Sequence, residues 1–196
     1  MLSIPISSRS VAEDRKEIAH EVVHLLNHLA HDIGESSHAS RGSSPDSEFD
    51  ELIIRIENGA RGLDPQFVDV STLKGALLKD VPSVKKLARS WANQLVAQYG
   101  IEQRSTHQPN ALRAKALYER ACVQCHGNEG RGNGKVAKFL SPQPANLRKI
   151  ASDPDFSAFN IFNTIRFGIP GTAMPAFSGL SAPELWDLAT LVKSLR

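Results

Sequence analysis

The sequence contains only two cysteines and two methionines in 196 residues. Two cysteines cannot cross-link a chain of this length, so a disulfide-stabilised scaffold is excluded. No apolar run reaches the ~18 to 20 residues that a transmembrane helix requires, so we expect no membrane span. The chain also lacks an excess of one charge, since 23 basic and 21 acidic side chains give a formal net charge of +2. Because no basic run alternates with aromatic residues, we expect no nucleic-acid partner.

Strand-like alternation is also missing, and apolar residues recur instead at helical spacing. The pattern predicts helices over 11–33, 45–59, 73–78, 83–99, 110–122, 155–167 and 181–195. Residues 127–155 are rich in glycine and proline and are predicted to form an irregular segment. The predicted fold class is therefore all-α.

Charge divides the chain into two parts. Residues 1–105 carry 12 basic and 15 acidic side chains, whereas residues 106–196 carry 11 basic and 6 acidic side chains. A polar segment, 101–110, separates the two parts and is typical of a linker. We predict an N-terminal helical domain over 1–105, with a docking or structural role, and a second domain over 106–196.

The string CVQCH, from Cys122 to His126, matches the C-x-x-C-H pattern of c-type haem attachment. One helical turn between the thiols matches the spacing of the two haem vinyl groups, and the next histidine is held below the iron as its proximal ligand. A dithiol enzyme would need a βαβ setting, and a structural zinc site would need a second pair of ligands. Neither is present. The motif therefore predicts one covalently bound haem c, with Cys122, Cys125 and His126 as its binding residues.

The second axial ligand is predicted by elimination. Apart from Met1, the chain has only Met174, which follows His126 by 48 residues in the loop GIPGTAMPAF. A methionine thioether is a soft ligand that suits haem iron and raises its reduction potential. Methionine more often fills a core, but Met174 lies in a glycine- and proline-rich loop and not on an apolar helix face. We therefore predict His126 and Met174 as the two iron ligands.

On these motifs, residues from about 110 to 196 resemble a class I c-type cytochrome. Tyr118 stands four residues before Cys122, as an aromatic residue does in that family, and a glycine-rich loop follows the histidine. The resemblance implies a C-terminal class I cytochrome c domain over 106–196. It also implies that a proline carbonyl, from Pro142 or Pro144, holds the other nitrogen of the histidine.

The same resemblance implies that the first and last helices of this domain cross each other. Ala114 stands where the family often has glycine at the crossing, and Trp186 is expected to supply the aromatic bulk that is absent at Leu191. The N-terminal half, with HLLNHLAHDI at 24–33 and the junction YGI, is similar to a periplasmic region of bacterial high-affinity iron permease proteins. In those proteins such a region precedes a cytochrome c domain and a membrane permease. The permease helices are absent, so we do not expect iron transport by this chain itself.

Several histidines lie close together on the first predicted helix. His20, His24 and His28 follow one another at positions i, i+4 and i+8, and His31 is near. An i, i+4 histidine pair can bind a transition metal, but no carboxylate or cysteine is clearly positioned to complete a site. We therefore favour a partly exposed polar face, with one histidine packed at a domain contact, and keep transient metal contact as the alternative.

Together these features predict electron transfer through one low-spin haem and no enzymatic activity, because no general base or nucleophile stands out. Two alternatives remain open: a haem sensor or peroxidase-like enzyme with a displaceable sixth ligand, and an accessory module docked on a membrane transporter. The expected partner is a redox protein or a membrane complex, with an iron permease as one candidate. The first ten residues lack the basic flank and apolar core of a signal peptide. The expected location is the periplasm or the outer face of the inner membrane, with the export signal outside this chain.

Overall fold

The computed structural model describes residues 10–32, 45–63, 68–77, 80–154 and 156–195. Within these ranges all regular structure is helical, and there is no strand. The helices are α1 (Val11–Asp32), α2 (Pro45–Ala60), α3 (Val70–Leu77), α4 (Val81–Tyr99), α5 (Ala111–Ala121), α6 (Val123–His126), α7 (Leu147–Ser152), α8 (Ala158–Phe167) and α9 (Ala182–Ser194). The prediction of an all-α fold is confirmed for the described part of the chain.

Helix α1 is the centre of the N-terminal half and packs against α2 and α4. Six of its apolar side chains are at most 1% exposed, among them Val22, Leu25, Leu26 and Leu29. They recur at intervals of three and four residues, which places them on one side of an α-helix. Leu95 of α4 belongs to the same buried cluster. The apolar stripes that the sequence predicts for both helices therefore form the core of this half.

Helix α4 has a capping residue at each end, Asp80 at its start and Gly100 at its end. Asp80 accepts a hydrogen bond from the Ser83 N–H at 2.7 Å, and Pro82 lies in the first turn, where the helix needs no intrahelical N–H donor. Gly100 ends the helix with a φ of +57°, in the left-handed region that favours glycine. The predicted linker, 101–110, follows directly.

Helix α9 contacts α5, α7 and α8 and is the centre of the C-terminal half. The contact between α5 and α9 confirms that the first and last helices of this half meet. Ala114 of α5 is 1% exposed, so its methyl group is fully packed. Trp186 lies on Phe162 of α8 with ring centroids 4.6 Å apart. The Trp186 ring therefore packs on α8, and its expected role at the crossing of α5 and α9 stays a prediction.

Two helices of the C-terminal half differ from the sequence-based expectation. Helix α8 begins at Ala158, and residue 155, its expected start, lies outside the described residues, as does residue 33 at the predicted end of α1. Helix α7 lies within the segment that is predicted to be irregular. Asn146 caps α7 by accepting a hydrogen bond from the Arg148 N–H at 3.0 Å. Six residues are too few to show an apolar period, so the sequence pattern does not reveal this helix.

The buried apolar residues of both halves form one continuous cluster. Helix α1 takes part in the junction between the halves, because it packs on α8 as well as on α2 and α4. None of the helices in the described ranges is both long and apolar enough to cross a bilayer. The candidate site lies in the C-terminal half. Helix α1 of the N-terminal half therefore reaches the half that carries the site, through its contact with α8.

Candidate haem site

The two cysteines and the histidine of the CVQCH string lie on one helical turn. Cys122 ends α5 and begins α6, and the His126 N–H donates to the Cys122 carbonyl at 2.9 Å. Both thiols are free and partly buried. Burial raises the pKa of Cys122 to about 11, with a smaller increase from the neighbouring Cys125. The structure brings Cys122, Cys125 and His126 together in the way that the spacing predicts.

The ring of His126 is held by a backbone carbonyl. Its Nδ1 lies 3.0 Å from the carbonyl oxygen of Ala145. A carbonyl oxygen only accepts, so Nδ1 carries the hydrogen and Nε2 has a free lone pair. Burial lowers the pKa of His126, and the hydrogen bond to Ala145 opposes this shift only in part. The imidazole is therefore neutral at pH 7, with Nε2 available as a metal ligand.

The expectation that a proline carbonyl would hold His126 is wrong. The partner is Ala145 and not Pro142 or Pro144. The Pro144 carbonyl oxygen lies against Gly132, where an added Cβ would approach it to 2.4 Å. The same added Cβ would lie 3.2 Å from the Ala145 carbonyl oxygen, so Gly132 packs against the peptide whose carbonyl holds His126.

The glycine-rich loop after His126 is hydrogen-bonded onto the CVQCH turn. The Gly132 N–H donates to the His126 carbonyl at 2.9 Å, and the Gly134 N–H donates to the Cys125 carbonyl at 3.0 Å. A Cβ on Gly134 would lie 2.2 Å from the carbonyl oxygen of Gln124. The backbones approach so closely that position 134 has no space for a side chain, and this contact fixes the turn that carries His126.

Tyr118 connects the same loop to α5. Its side chain is 5% exposed, and its hydroxyl donates to the Gly127 carbonyl at 2.8 Å. Burial, with a smaller effect of Cys122, raises the pKa of Tyr118 to about 12, so the hydroxyl keeps its proton. The aromatic residue four positions before the first cysteine therefore holds the start of the loop.

Met174 lies in a loop that we define as the methionine loop, residues 168–177, directly after α8. The Ile169 N–H donates to the Met174 carbonyl at 3.1 Å, and the Met174 N–H donates to the Thr172 hydroxyl oxygen at 3.1 Å. The Phe177 N–H returns to the Ile165 carbonyl of α8 at 3.0 Å. The Met174 side chain is partly buried and packs against the same hydrophobic cluster as Cys122. The backbone around Met174 is therefore held in place.

These groups fit a covalently attached haem by the chemistry of their donor atoms. Two free thiols one helical turn apart match what two thioether links need. The neutral imidazole with Nδ1 engaged is the form in which histidine binds a metal, and the Met174 thioether is the second candidate ligand. No group of three or more His, Cys, Asp or Glu side chains in the described ranges could hold a separate metal ion.

Two histidines of α1, His20 and His24, lie at the junction with α8 and not on an exposed face. His20 and His24 are 8% and 3% exposed. The His20 Nε2 lies 2.7 Å from Oδ1 of Asn163, and the His24 Nε2 lies 2.8 Å from the Gly168 carbonyl oxygen. The prediction of a partly exposed histidine face is therefore wrong for these two residues, because α8 and the residue that ends it cover them.

Burial also decides the charge of these two histidines. It lowers the pKa of His20 to about 4, with a further decrease from the positive charge of Arg166. It lowers the pKa of His24 to about 3, with a further decrease from His28. Both rings are therefore neutral at pH 7. A neutral ring that donates from Nε2 satisfies the Gly168 carbonyl without placing a charge in the junction.

Asp187 is a buried polar residue that the sequence analysis misses. It is 1% exposed and accepts a hydrogen bond from the Asn110 N–H at 2.9 Å. Arg113 donates to its other oxygen, and His107 lies at 3.2 Å. Burial favours the neutral acid, but these hydrogen bonds outweigh it and lower the pKa of Asp187. The sequence signal that could have revealed it is an aspartate between two buried apolar residues of α9, Trp186 and Leu188.

Residues 109–192 match the protein family described as cytochrome C oxidase, cbb3-type, subunit III. The matched range includes the CVQCH turn and Met174. The C-terminal half is therefore a c-type cytochrome domain, and such a domain implies haem c. The predicted fold class, all-α with a C-terminal cytochrome c domain, is confirmed.

Among solved structures, the chain is similar to a chain of the reducing HAO-like protein complex of Kuenenia stuttgartiensis. The sequence identity is 26% and the TM-score is 0.44, and the similarity covers 59% of this chain and 59% of that chain. A search of the curated proteins returns no match. The family match shows a c-type cytochrome domain over 109–192, and none of the comparisons shows the similarity to iron permease proteins.

Proposed function

We propose that this protein transfers single electrons through one covalently bound, low-spin haem c. Cys122 and Cys125 provide the two thioether links, and His126 and Met174 are the axial ligands. The bound haem supplies the one-electron chemistry. The protein supplies the attachment points, the ligands and packed surroundings, and we propose no enzymatic activity for it.

The hydrogen bond between His126 Nδ1 and the Ala145 carbonyl is the observation that carries this proposal. It selects the tautomer in which Nε2 has a free lone pair, and it fixes the orientation of the ring. A hydrogen bond of this kind also makes the ligating nitrogen more basic. Together with two free thiols on the same turn, it favours a haem ligand over a histidine that only fills the core.

Met174 decides between electron transfer and the alternative of a haem sensor or peroxidase-like enzyme. A sensor or peroxidase needs a sixth position that is open or easily vacated. The methionine loop holds the Met174 backbone through hydrogen bonds on both sides, from Ile169 and to Thr172. This arrangement supports a permanent ligand. Carbon monoxide should therefore bind the reduced wild-type protein slowly or not at all.

The proposed partner is a redox protein or a membrane complex, and residues 1–105 are the candidate docking or structural domain. The proposed location is the periplasm or the outer face of the inner membrane, because attachment of haem to CxxCH normally follows export. His20 and His24, two of the three histidines for which the sequence leaves transient metal contact as an alternative, are buried. We therefore do not include iron uptake in the proposed function.

Acid-acetone extraction and visible spectroscopy test the proposal. Haem should remain with the denatured wild-type chain and should be released when both Cys122 and Cys125 are changed to alanine. Wild-type chain made without a haem-attachment system is the control and should carry no covalent haem. The oxidised protein should show the weak far-red sulfur-to-iron band, which Met174→Ala should abolish. Extraction of haem from the wild-type protein, or rapid carbon monoxide binding to it, would overturn the proposal.

A further inference from the structure

One face of α1 contacts the end of α8 through a row of polar side chains. The pairs are Glu17 with Arg166, His20 with Asn163, and His24 with Gly168. The three α1 positions follow at i, i+3 and i+7, so they lie on one side of the helix. Helix α1 therefore holds the last turns of α8, which lead directly into the methionine loop.

The last pair satisfies a carbonyl that α8 itself cannot satisfy. Gly168 ends α8, and the final carbonyls of a helix have no intrahelical donor. The Gly168 carbonyl oxygen is buried and accepts from the His24 Nε2 at 2.8 Å. Removing this donor leaves a buried acceptor without its hydrogen bond, which disfavours the present position of the Gly168 peptide.

The Gly168 peptide is in turn packed directly on the backbone of Met174. A Cβ at Gly168 would lie 2.8 Å from the Met174 carbonyl oxygen and 2.8 Å from the Ala176 nitrogen. The next residue, Ile169, donates its N–H to the same Met174 carbonyl at 3.1 Å. A displacement of Gly168 therefore displaces the backbone of Met174.

The aromatic side chains around the histidines hold their rings in place. His24 stacks on Phe167 with centroids 5.6 Å apart and an interplanar angle of 27°. His20 stacks on Phe162 and on Phe159 at 5.8 and 5.6 Å. The donor on His24 thus has a defined direction, which a loosely packed side chain would not provide.

We propose that His24 is a positioning residue for Met174, and that the N-terminal helical domain controls the sixth haem ligand through the hydrogen bond from His24 to Gly168. This inference rests on the proposed function, because it requires Met174 to be a ligand. It assigns the N-terminal half a role inside the cytochrome, in addition to any docking role.

Three variants of the full haem-loaded chain test the inference. His24→Leu removes the donor with little change in volume, whereas His24→Gln keeps a donor at a similar distance from the backbone. His31→Gln is the matched control, since His31 contacts Asp153 at 3.2 Å, at the junction but outside the methionine loop. The measurements are the far-red band of the oxidised protein, the rate of carbon monoxide binding to the reduced protein, and hydrogen exchange of the amides in 169–177.

We expect His24→Leu to weaken the far-red band and to raise both the carbon monoxide binding rate and the exchange of the loop amides about tenfold, the effect of one lost buried hydrogen bond. Covalent haem should be retained. His24→Gln and His31→Gln should remain within about twofold of the wild type, because the hydrogen bond to Gly168 is replaced or untouched.

An unchanged far-red band and carbon monoxide rate in His24→Leu would overturn the inference. Equal effects of His31→Gln and His24→Leu would also overturn it, because His24 would then only help to dock the two halves. If His24→Leu does not retain haem, His24→Phe keeps the aromatic stacking without the donor and takes its place. Loss of covalent haem from both variants would count against the inference, because the inference predicts that the effect of losing the His24 donor is limited to the methionine loop. A wild-type protein without the far-red band would instead refute the proposed function.

Discussion

The two halves of the chain fix their backbones by different means. In the N-terminal half, helices bury apolar stripes, and a glycine such as Gly75 of α3 has no atom of another helix or loop within 4 Å of the position of a Cβ. Around the haem motif, loop backbone packs directly on the helical turn of the motif, and Gly134 has the Gln124 carbonyl oxygen at 2.2 Å from that position. The comparison teaches that the site depends on close approach of backbones, whereas the helical half depends on side-chain burial.

The junction between the halves is a third environment, in which buried polar contacts lie among aromatic side chains. The buried His20 and His24 donate hydrogen bonds there, and Arg166 forms an ion pair with Glu17 beside them. Buried polar contacts depend on direction and protonation in a way that apolar packing does not. Each of the three environments should therefore respond to a different kind of change.

The largest difference is expected between two glycine-to-alanine changes. Gly134→Ala should destabilise the cytochrome half by more than about 4 kcal/mol or prevent haem loading, because the added methyl meets backbone that no side-chain rotation can move. Gly75→Ala is the matched control in α3 and should stabilise the protein by up to about 1 kcal/mol. Denaturant unfolding and haem content measure both effects. A tolerated Gly134→Ala would show that the backbone approach at the motif is not required.

The second largest effect is expected at low pH, which should weaken the junction between the halves. The unfolded chain protonates His20 and His24 below about pH 6.5, whereas the folded chain does so only near pH 4 and pH 3. The unfolded state thus binds more protons in this window, and stability falls as the pH falls. The loss is about 1.4 kcal/mol for each histidine at pH 5.5.

The free energy of unfolding at pH 7.5 and at pH 5.5 measures this loss. A variant with both His20 and His24 changed to glutamine should lose about 3 kcal/mol less than the wild type between these two values. Equal losses in the two proteins would mean that the histidines are not buried at the junction in the neutral form.

A smaller effect is expected from the ion pairs of the two halves. Asp187→Asn should cost about 2 kcal/mol, since Asn110 and Arg113 lose a fully buried charged acceptor. Glu21→Gln removes a pair with Arg55 whose side chains are 44% and 36% exposed, and it should cost less than about 0.5 kcal/mol. Unfolding at pH 7 measures both. Equal costs would contradict the difference in burial.

Local features of the chain follow the sequence closely. Asn110 caps α5, Gly168 ends α8, and the CVQCH string forms one turn, because each depends on residues within about four positions. Helix α7 is not predicted in this way, since its six residues are too few to show an apolar period. The attachment of haem by Cys122 and Cys125 stays a prediction, to which the neutral His126 adds support.

The sequence by itself determined the helical fold class, the helix stripes and the turn that carries Cys122 and His126, because short-range hydrogen bonds and apolar periodicity encode them. Only the tertiary structure decided which carbonyl holds His126, since the contact with Ala145 joins residues 19 positions apart. It also decided that His24 reaches Gly168, a contact between residues 144 positions apart. No periodicity within a helix specifies which element will cover one of its faces, so the role of α1 at the methionine loop emerges only from the packing of the two halves.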